Sequence, residues 1–136
     1  MSSKWSGASG PLFLKLINAL EFVVAASYIS PETGKTMMWV PRRSITKRTW
    51  PGKLDVTVGG GMGVGDTALN TVVRECPQEA SLNAKYVRNN VRSVGVLPFP
   101  NRSPANWILP GMYYLFDLPL RPEAQLSHER TSQMER

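Results

Sequence analysis

Residues 59–82 read GGGMGVGDTALNTVVRECPQEASL, a run of glycines followed by a segment with the spacing of an amphipathic helix. Asp66 or Thr67 is a suitable residue to cap the start of that helix. The apolar residues that follow recur three or four positions apart, as on one face of a helix. They are Ala68, Leu69, Val72, Val73, Cys76 and Ala80. We therefore predict a glycine loop at residues 59–65 that leads directly into a helix.

Acidic side chains mark the second half of this helix. Glu75 and Glu79 are four residues apart, so they share one helix face. Their carboxylate oxygens are the ligands that Mg²⁺ and Mn²⁺ prefer, and Arg74 is placed to neutralise and orient a neighbouring carboxylate. Taken singly, these acids are typical of a solvated, salt-bridged helix face, and the glycines of a flexible turn. The combination, a glycine loop followed by a helix that carries Arg74, Glu75 and Glu79, favours a site for a metal ion and a diphosphate.

The stretch resembles the box of the Nudix hydrolases, G-x5-E-x7-R-E-U-x-E-E-x-G-U, in which U is a bulky apolar residue. Box residues are found at Gly60, Arg74, Glu75, Glu79 and Leu82, and Cys76 takes the first apolar position. Asp66 stands where the box has its first Glu, Gln78 where it has the next-to-last Glu, and Ser81 where it has its last Gly.

The resemblance extends to the residues before the box. Residues 38–44 read MWVPRRS and residues 46–55 read TKRTWPGKLD, which is similar to the Nudix domain of fungal and plant proteins related to thiamine pyrophosphokinase. The resemblance covers about Phe22 to Leu118. It implies an α/β fold, a Nudix-type α/β/α sandwich with a mixed β-sheet. The resemblance also leads us to expect an acidic segment after Leu118, which residues 119–136 do not match, so a domain truncated at its C-terminus is expected.

The resemblance also implies a function, namely a metal-dependent diphosphatase that uses Mg²⁺ or Mn²⁺ and cleaves a phosphoanhydride of an organic or nucleoside diphosphate derivative. For the subfamily the substrate is thiamine diphosphate-like. Glu75 and Glu79 would be the catalytic metal ligands, Arg74 would orient Glu75, and Gln78 would be a weakened third ligand. The residues expected to bind substrate are Arg42, Arg43, Lys47, Trp50, Gly60 and Gly61, although a solvated basic loop with a packed Trp50 accounts for the first four equally well.

Two departures from the box favour an alternative. Gln78 lacks the charge of a metal-binding Glu, and Pro77 removes an amide donor inside a helix at a cost of about 3 kcal/mol. The helix is therefore expected either to bend between Glu75 and Glu79 or to end near Cys76. The alternative is a catalytically impaired Nudix-fold protein that binds a ligand or partner, or that was recruited to a non-hydrolytic step of fungal secondary metabolism.

Strand signals flank the box. Residues 21–30 and 36–40 are rich in residues that favour strands and are separated by a Pro-Glu-Thr-Gly turn, which predicts a β-hairpin. Residues 41–52 are expected to form a basic loop, and residues 93–97 and 111–118 two further strands. The four prolines at residues 98–110 predict an irregular connection. We divide the chain into a lead-in (1–20), a Nudix-like domain (21–120) and a polar tail (121–136).

Composition sets wider limits. A chain of 136 residues is the size of one domain, and its single cysteine excludes an intramolecular disulfide. The formal charge of +6 favours anionic partners. We expect a small-molecule diphosphate rather than nucleic acid, because no groove-reading motif accompanies the basic residues. Since neither a signal peptide nor an apolar run of about 20 residues is found, no membrane partner and a cytoplasmic location are expected.

Overall fold

The computed structural model describes residues 20–48, 50–102, 108–122 and 134–135. It contains seven strands and two helices in these ranges. The strands are β1 (Leu20–Ile29), β2 (Thr36–Met38), β3 (Val40–Pro41), β4 (Val58–Gly61), β5 (Arg92–Arg102), β6 (Ile108–Pro119) and β7 (Met134–Glu135), and the helices are α1 (Ala68–Ala80) and α2 (Ala84–Asn90). Most of the predicted lead-in and tail lies outside the described residues.

Strand β1 is the centre of the main sheet, whose order is β2-β1-β6-β5, with β4 also paired to β1. β6 runs parallel to β1 along one edge, whereas β2 and β4 run antiparallel to it along the other. The sheet is therefore mixed, as predicted, and the α/β fold class is confirmed. The predicted hairpin of residues 21–30 and 36–40 is confirmed as β1 and β2.

The core forms where alternate residues of β1 meet the apolar face of α1. Phe22, Val24 and Ala26 are buried on one face of the strand, as the two-residue period of a strand requires. The helical residues predicted to face the core include Val72, Val73, Cys76 and Ala80, and all four are buried. β6 and the segments after α1 contribute Phe116, Leu118, Leu82 and Val87 to the same cluster.

The predicted glycine loop at residues 59–65 is only partly a loop. Gly59, Gly60 and Gly61 belong to β4 and pair with Val23, Phe22 and Glu21 of β1. The sequence pattern failed here because glycine has a weak local preference for strands. Pairing with the edge of β1, which is distant in the chain, overrides that preference. Gly59 has a specific packing role, since a Cβ there would lie 2.7 Å from Cγ2 of Val56.

The prediction of an irregular connection at residues 98–110 is wrong for its described residues. β5 extends to Arg102 and β6 begins at Ile108, and Pro98, Pro100 and Pro110 all lie within these strands. Pro100 pairs with Pro110. Neither has an N–H, so they form a non-hydrogen-bonded pair, in which the amide positions point away from the partner strand. β5 is an edge strand, where proline is tolerated. Pro110 precedes Met112, the first residue of β6 that pairs with β1, so its missing N–H does not interrupt that pairing.

The predicted polar tail contacts the domain through Met134 and Glu135. These two residues form β7, which pairs with Pro41 and Val40 of β3. Just before the tail, Leu120 is buried, and its N–H donates to the Ser27 carbonyl at 2.6 Å. The remainder of the tail lies largely outside the described part of the chain.

A buried hydroxyl closes the gap that β2 and β4 leave along one edge of β1. Thr57, 1% exposed, accepts from the Ala26 N–H at 2.9 Å and donates to the Trp39 carbonyl at 2.7 Å. The Trp39 N–H in turn donates to the Ala26 carbonyl at 2.9 Å. Thr57 thus joins both ends of the segment between β2 and β4 to the central strand.

We predict that Thr57→Val lowers the free energy of unfolding by about 2 kcal/mol, because an isosteric methyl leaves the Ala26 N–H and the Trp39 carbonyl without this partner in the interior. Thr71→Val is the matched control. Thr71 is equally buried, but its hydroxyl donates to the Thr67 carbonyl, which the Thr71 N–H also reaches. Urea unfolding of both variants measures the difference, and equal losses would contradict the proposed role of Thr57.

Cys76 provides a second test of the core. Its side chain is fully buried, and burial raises the pKa of the thiol to about 12, with a smaller contribution from the charges of Glu79 and Glu75. We expect no reaction with a disulfide reagent at pH 8 in the native protein, because the thiolate is the reactive form. Reaction should occur at once in denaturant, and rapid labelling of the native protein would contradict the packing of α1.

Candidate functional site

Helix α1 positions the acidic residues of the candidate site. It begins after Thr67, whose hydroxyl accepts from the Asn70 N–H at 3.3 Å, and it continues through Pro77 to Ala80. The expectation that it ends near Cys76 is therefore wrong. Pro77 lies in the last turn, where the N–H groups of Ser81 and Leu82 both reach the Cys76 carbonyl and complete the helix end.

Ser81 adopts the left-handed conformation that closes this helix. Its φ of 55° and ψ of 27° are values at which glycine carries no steric penalty. Ser81 is the residue that replaces the last glycine of the box. The structure therefore gives a physical reason for a glycine at this box position, and shows that the turn forms here without one.

Arg74 links a carboxylate that precedes α1 to one in the middle of the helix. Its guanidinium donates to Asp66 at 2.8 Å and to Glu75 at 3.1 Å. The hydrogen bond that Arg74 donates to Asp66 is the main cause that raises the pKa of Arg74, and the one that it donates to Glu75 is the next. The contact between Arg74 and Glu75 was expected from the sequence. The contact with Asp66 was missed, because it spans the turn before the helix and no sequence period predicts it.

A pocket of about 250 Å³ lies between the last turns of α1 and the basic loop, which we define as residues 42–54. The bridge between Arg42 and Leu54 closes the loop at its base. The pocket is lined by Pro41, Arg42, Arg43, Ser44, Lys47, Asp55, Val56, Thr57, Gly59 and Glu79. Glu79 is its single contribution from a helix in the described structure, so α1 and the basic loop meet at this residue.

Charge is concentrated in this pocket. Three cations, Arg42, Arg43 and Lys47, line it together with two carboxylates, Asp55 and Glu79. Arg43 forms an ion pair with Asp55 at 2.5 Å, and Arg42 donates to the Gly52 carbonyl at 2.8 Å. These bonds hold the two arginines in place over the pocket, with an excess of positive charge suited to an anionic ligand.

Several residues expected at the site are not among those that line the pocket. Glu75 and Gln78 lie on α1 outside it, and Gly60 and Gly61 follow the lining residue Gly59 along β4. Trp50 is 74% exposed. The sequence also failed to identify Ser44, Asp55 and Gly59 as lining residues. Asp55 could have been found from its place in the resemblance, whereas Gly59 depends on the pairing of β4 with β1.

The acidic residues limit what metal site the described residues can form. No group of three side chains among Asp, Glu, His and Cys comes together in the part of the chain that the structure describes. Glu75 and Glu79 are a pair of carboxylates one helical turn apart on α1, and of the two Glu79 lines the pocket. Such a set suits Mg²⁺, which is commonly held by one or two carboxylates and completes its shell with water and substrate phosphate. The residues therefore fit one ion held jointly with a phosphorylated ligand.

Among the helices described, none has the length and apolar character needed to cross a bilayer.

Comparison with known proteins supports this fold. The chain is 37% identical over 71 residues to an uncharacterised protein of Saccharomyces cerevisiae, a match that covers 52% of this chain and 21% of that protein. It is 36% identical over 66 residues to Nudix hydrolase 24, chloroplastic, of Arabidopsis thaliana, covering 48% of this chain and 18% of that protein. The chain thus spans about a fifth of the length of these relatives.

A solved structure shares the architecture. The MutT/nudix family protein from Enterococcus faecalis superposes with a TM-score of 0.67 at 14% identity, covering 94% of this chain and 50% of that one.

The model of the NUDIX domain matches residues 21–135. This range includes the sheet, α1 and the pocket, and the chain therefore belongs to the NUDIX domain family.

Proposed function

We propose that this protein hydrolyses a phosphoanhydride bond of an organic or nucleoside diphosphate derivative with the help of a divalent metal ion. The observation that carries the proposal is the pocket in which Glu79 of α1 faces the cations of the basic loop. A diphosphate needs several positive charges for binding, and hydrolysis needs a carboxylate beside it to hold a metal ion or a proton.

The residues divide into two roles. Arg42, Arg43 and Lys47 bind the phosphate oxygens, and the two arginines are preorganised because Gly52 and Asp55 hold their guanidinium groups. Preorganised donors contribute to catalysis because they need no rearrangement as charge develops. Trp50, Gly60 and Gly61, which were expected to bind substrate, do not line the pocket, and the proposal assigns them no contact with the diphosphate.

Glu75 and Glu79 would hold the metal ion, with Gln78 as a weak third ligand, and Arg74 would keep Glu75 in position. A divalent ion in such a site polarises the phosphoryl group and lowers the pKa of water beside it. Mg²⁺ or Mn²⁺ suits these oxygen ligands. Because the ligand set is short of carboxylates, we expect the substrate phosphates to supply much of the affinity for the ion.

The substrate class is proposed from the resemblance of residues 38–55 to the subfamily related to thiamine pyrophosphokinase. A thiamine diphosphate-like substrate carries a cationic ring, and the excess of cations in the pocket would contact its diphosphate end. Phosphate release from thiamine diphosphate, compared with release from nucleoside diphosphate derivatives under the same conditions, distinguishes the two substrate classes.

A second candidate is favoured by the short ligand set. Since no three acidic, His or Cys side chains meet among the described residues, the pocket could bind a diphosphate without cleaving it. The protein would then be a binding or accessory protein, or act in a non-hydrolytic step. Turnover by a Pro77→Glu/Gln78→Glu variant, together with no turnover by the natural sequence, would support this candidate and overturn the first.

We predict that Glu79→Gln lowers kcat/KM for diphosphate hydrolysis by about 100-fold or more, because it removes the helix carboxylate that lines the pocket and keeps the size of the side chain. Glu32→Gln is the matched control, since Glu32 is exposed in the turn between β1 and β2. It should leave the rate unchanged. A Glu79→Gln protein with the natural rate of hydrolysis would show that the reaction does not use this carboxylate.

Metal affinity gives an independent test. Gln78→Glu restores the charge found in the box and should tighten Mn²⁺ binding about tenfold or more in calorimetry, because affinity for these ions rises with the number of charged ligands. Asn70→Asp is the control, since it adds the same charge to an exposed residue in the first turn of α1. An equal gain in both variants would indicate a general charge effect and no site at Gln78.

A further inference from the structure

The basic loop has an outer surface that the pocket does not use. Ile45 is 84% exposed and Trp50 is 74% exposed, the two highest values among the large hydrophobic side chains that the structure describes. Neither residue lines the pocket. Exposed apolar side chains are common when scattered singly, whereas grouped ones mark interaction surfaces.

Backbone contacts bring both residues to the same end of the loop. The Gly52 N–H donates to the Arg43 carbonyl at 3.1 Å, and the Lys53 N–H donates to the Trp50 carbonyl at 3.4 Å. The Ile45 side chain lies against Gly52, with Cγ2 3.9 Å from the position of a Cβ there. Ile45 therefore contacts Gly52, two residues from Trp50, at the same end of the loop.

The conformation of Trp50 strengthens the case that its exposure has a function. Its φ is 51°, in the left-handed region where a bulky residue carries a steric penalty. Burial of the ring would offset that penalty, but the ring is exposed. Folding alone therefore gives no reason for a tryptophan here. Such unfavourable conformations are concentrated at functional sites.

Charge surrounds these two apolar side chains. Residues 42–54 contain five cations and no carboxylate, and Asp55, the next residue, pairs with Arg43. Arg48 and Lys53 are exposed, and their side chains are not part of the pocket. We define the outer surface of the loop as Ile45, Arg48, Trp50 and Lys53. It combines two apolar groups with two cations and has no acidic residue of its own.

We propose that this outer surface binds the surface of a membrane that contains anionic phospholipids. Ile45 and Trp50 enter the headgroup region, where tryptophan is favoured, while Arg48 and Lys53 contact lipid phosphates and carboxylates. Such peripheral binding needs no spanning helix. The proposal revises the expectation of no membrane partner and does not depend on whether the pocket hydrolyses a diphosphate.

Nucleic acid is the main rival for a surface with an aromatic ring and cations. The observation against it is Ile45, because an aliphatic side chain offers neither a stacking plane nor a hydrogen bond to a base. Insertion into a lipid surface accounts for Ile45 and Trp50 together. Competition between the two partners can be measured directly.

The test is sedimentation of the full chain with phosphatidylcholine vesicles that contain or lack phosphatidylserine. We expect binding only to the vesicles with phosphatidylserine, and an Ile45→Ser/Trp50→Ser variant should lose about fivefold or more in affinity. Arg48→Glu/Lys53→Glu should lose at least as much and should abolish the lipid preference. Far-UV circular dichroism and a thermal melt verify that each variant is folded.

Val64→Ser is the matched control, since Val64 is 71% exposed in the loop between β4 and α1. It should bind as the natural sequence does. Absence of binding to vesicles with phosphatidylserine would overturn the proposal, as would equal losses in the Val64→Ser variant. Binding to single-stranded RNA that the Ile45→Ser/Trp50→Ser variant loses, without vesicle binding, would assign the surface to nucleic acid instead.

Discussion

The hydroxyl of Thr57 is the interaction on which the geometry of the site depends. β2 and β4 both pair with one edge of β1 and leave Ala25 and Ala26 between them. The Thr57 hydroxyl accepts from the Ala26 N–H, and the Trp39 N–H donates to the Ala26 carbonyl. The Thr57 hydroxyl also donates to the Trp39 carbonyl. The chain can therefore leave the sheet after Trp39, form the basic loop and return at Thr57 with its two ends fixed to the same residue of the central strand.

This closure determines where the charges of the loop lie. Pro41 and Arg42 follow the first end, and Asp55 and Val56 precede the second, and all four line the pocket. The ion pair of Arg43 with Asp55 then braces the loop across its base. On the other side, the packing of Val72, Val73 and Cys76 against β1 fixes the rotation of α1. Glu79 consequently faces the loop. The pocket is thus a result of two separate attachments to β1, one by a hydroxyl and one by an apolar helix face.

The sequence predicted the elements that depend on local periodicity. Apolar spacing and the cap at Thr67 identified α1, and the Pro-Glu-Thr-Gly turn identified the hairpin of β1 and β2. The features it failed to predict depend on partners distant in the chain. Gly59 becomes part of a strand because β1 offers an open edge, and Pro100 is tolerated because it lies opposite Pro110 at an edge of the sheet. Arg42, Arg43 and Lys47 were predicted to bind substrate, but their position beside Glu79 follows from tertiary packing, which no spacing along the chain encodes.

In the proposed function, the cations of the basic loop and the carboxylates of α1 act on one diphosphate. A crystal structure of the protein with a non-hydrolysable diphosphate analogue and Mn²⁺, with anomalous scattering to locate the ion, would reveal whether they do. We expect phosphate density between Arg42, Arg43 and Lys47 and an ion within coordination distance of Glu79 that also touches a phosphate oxygen. Phosphate density away from these cations, or an analogue bound in the pocket with no ion at Glu79, would contradict it.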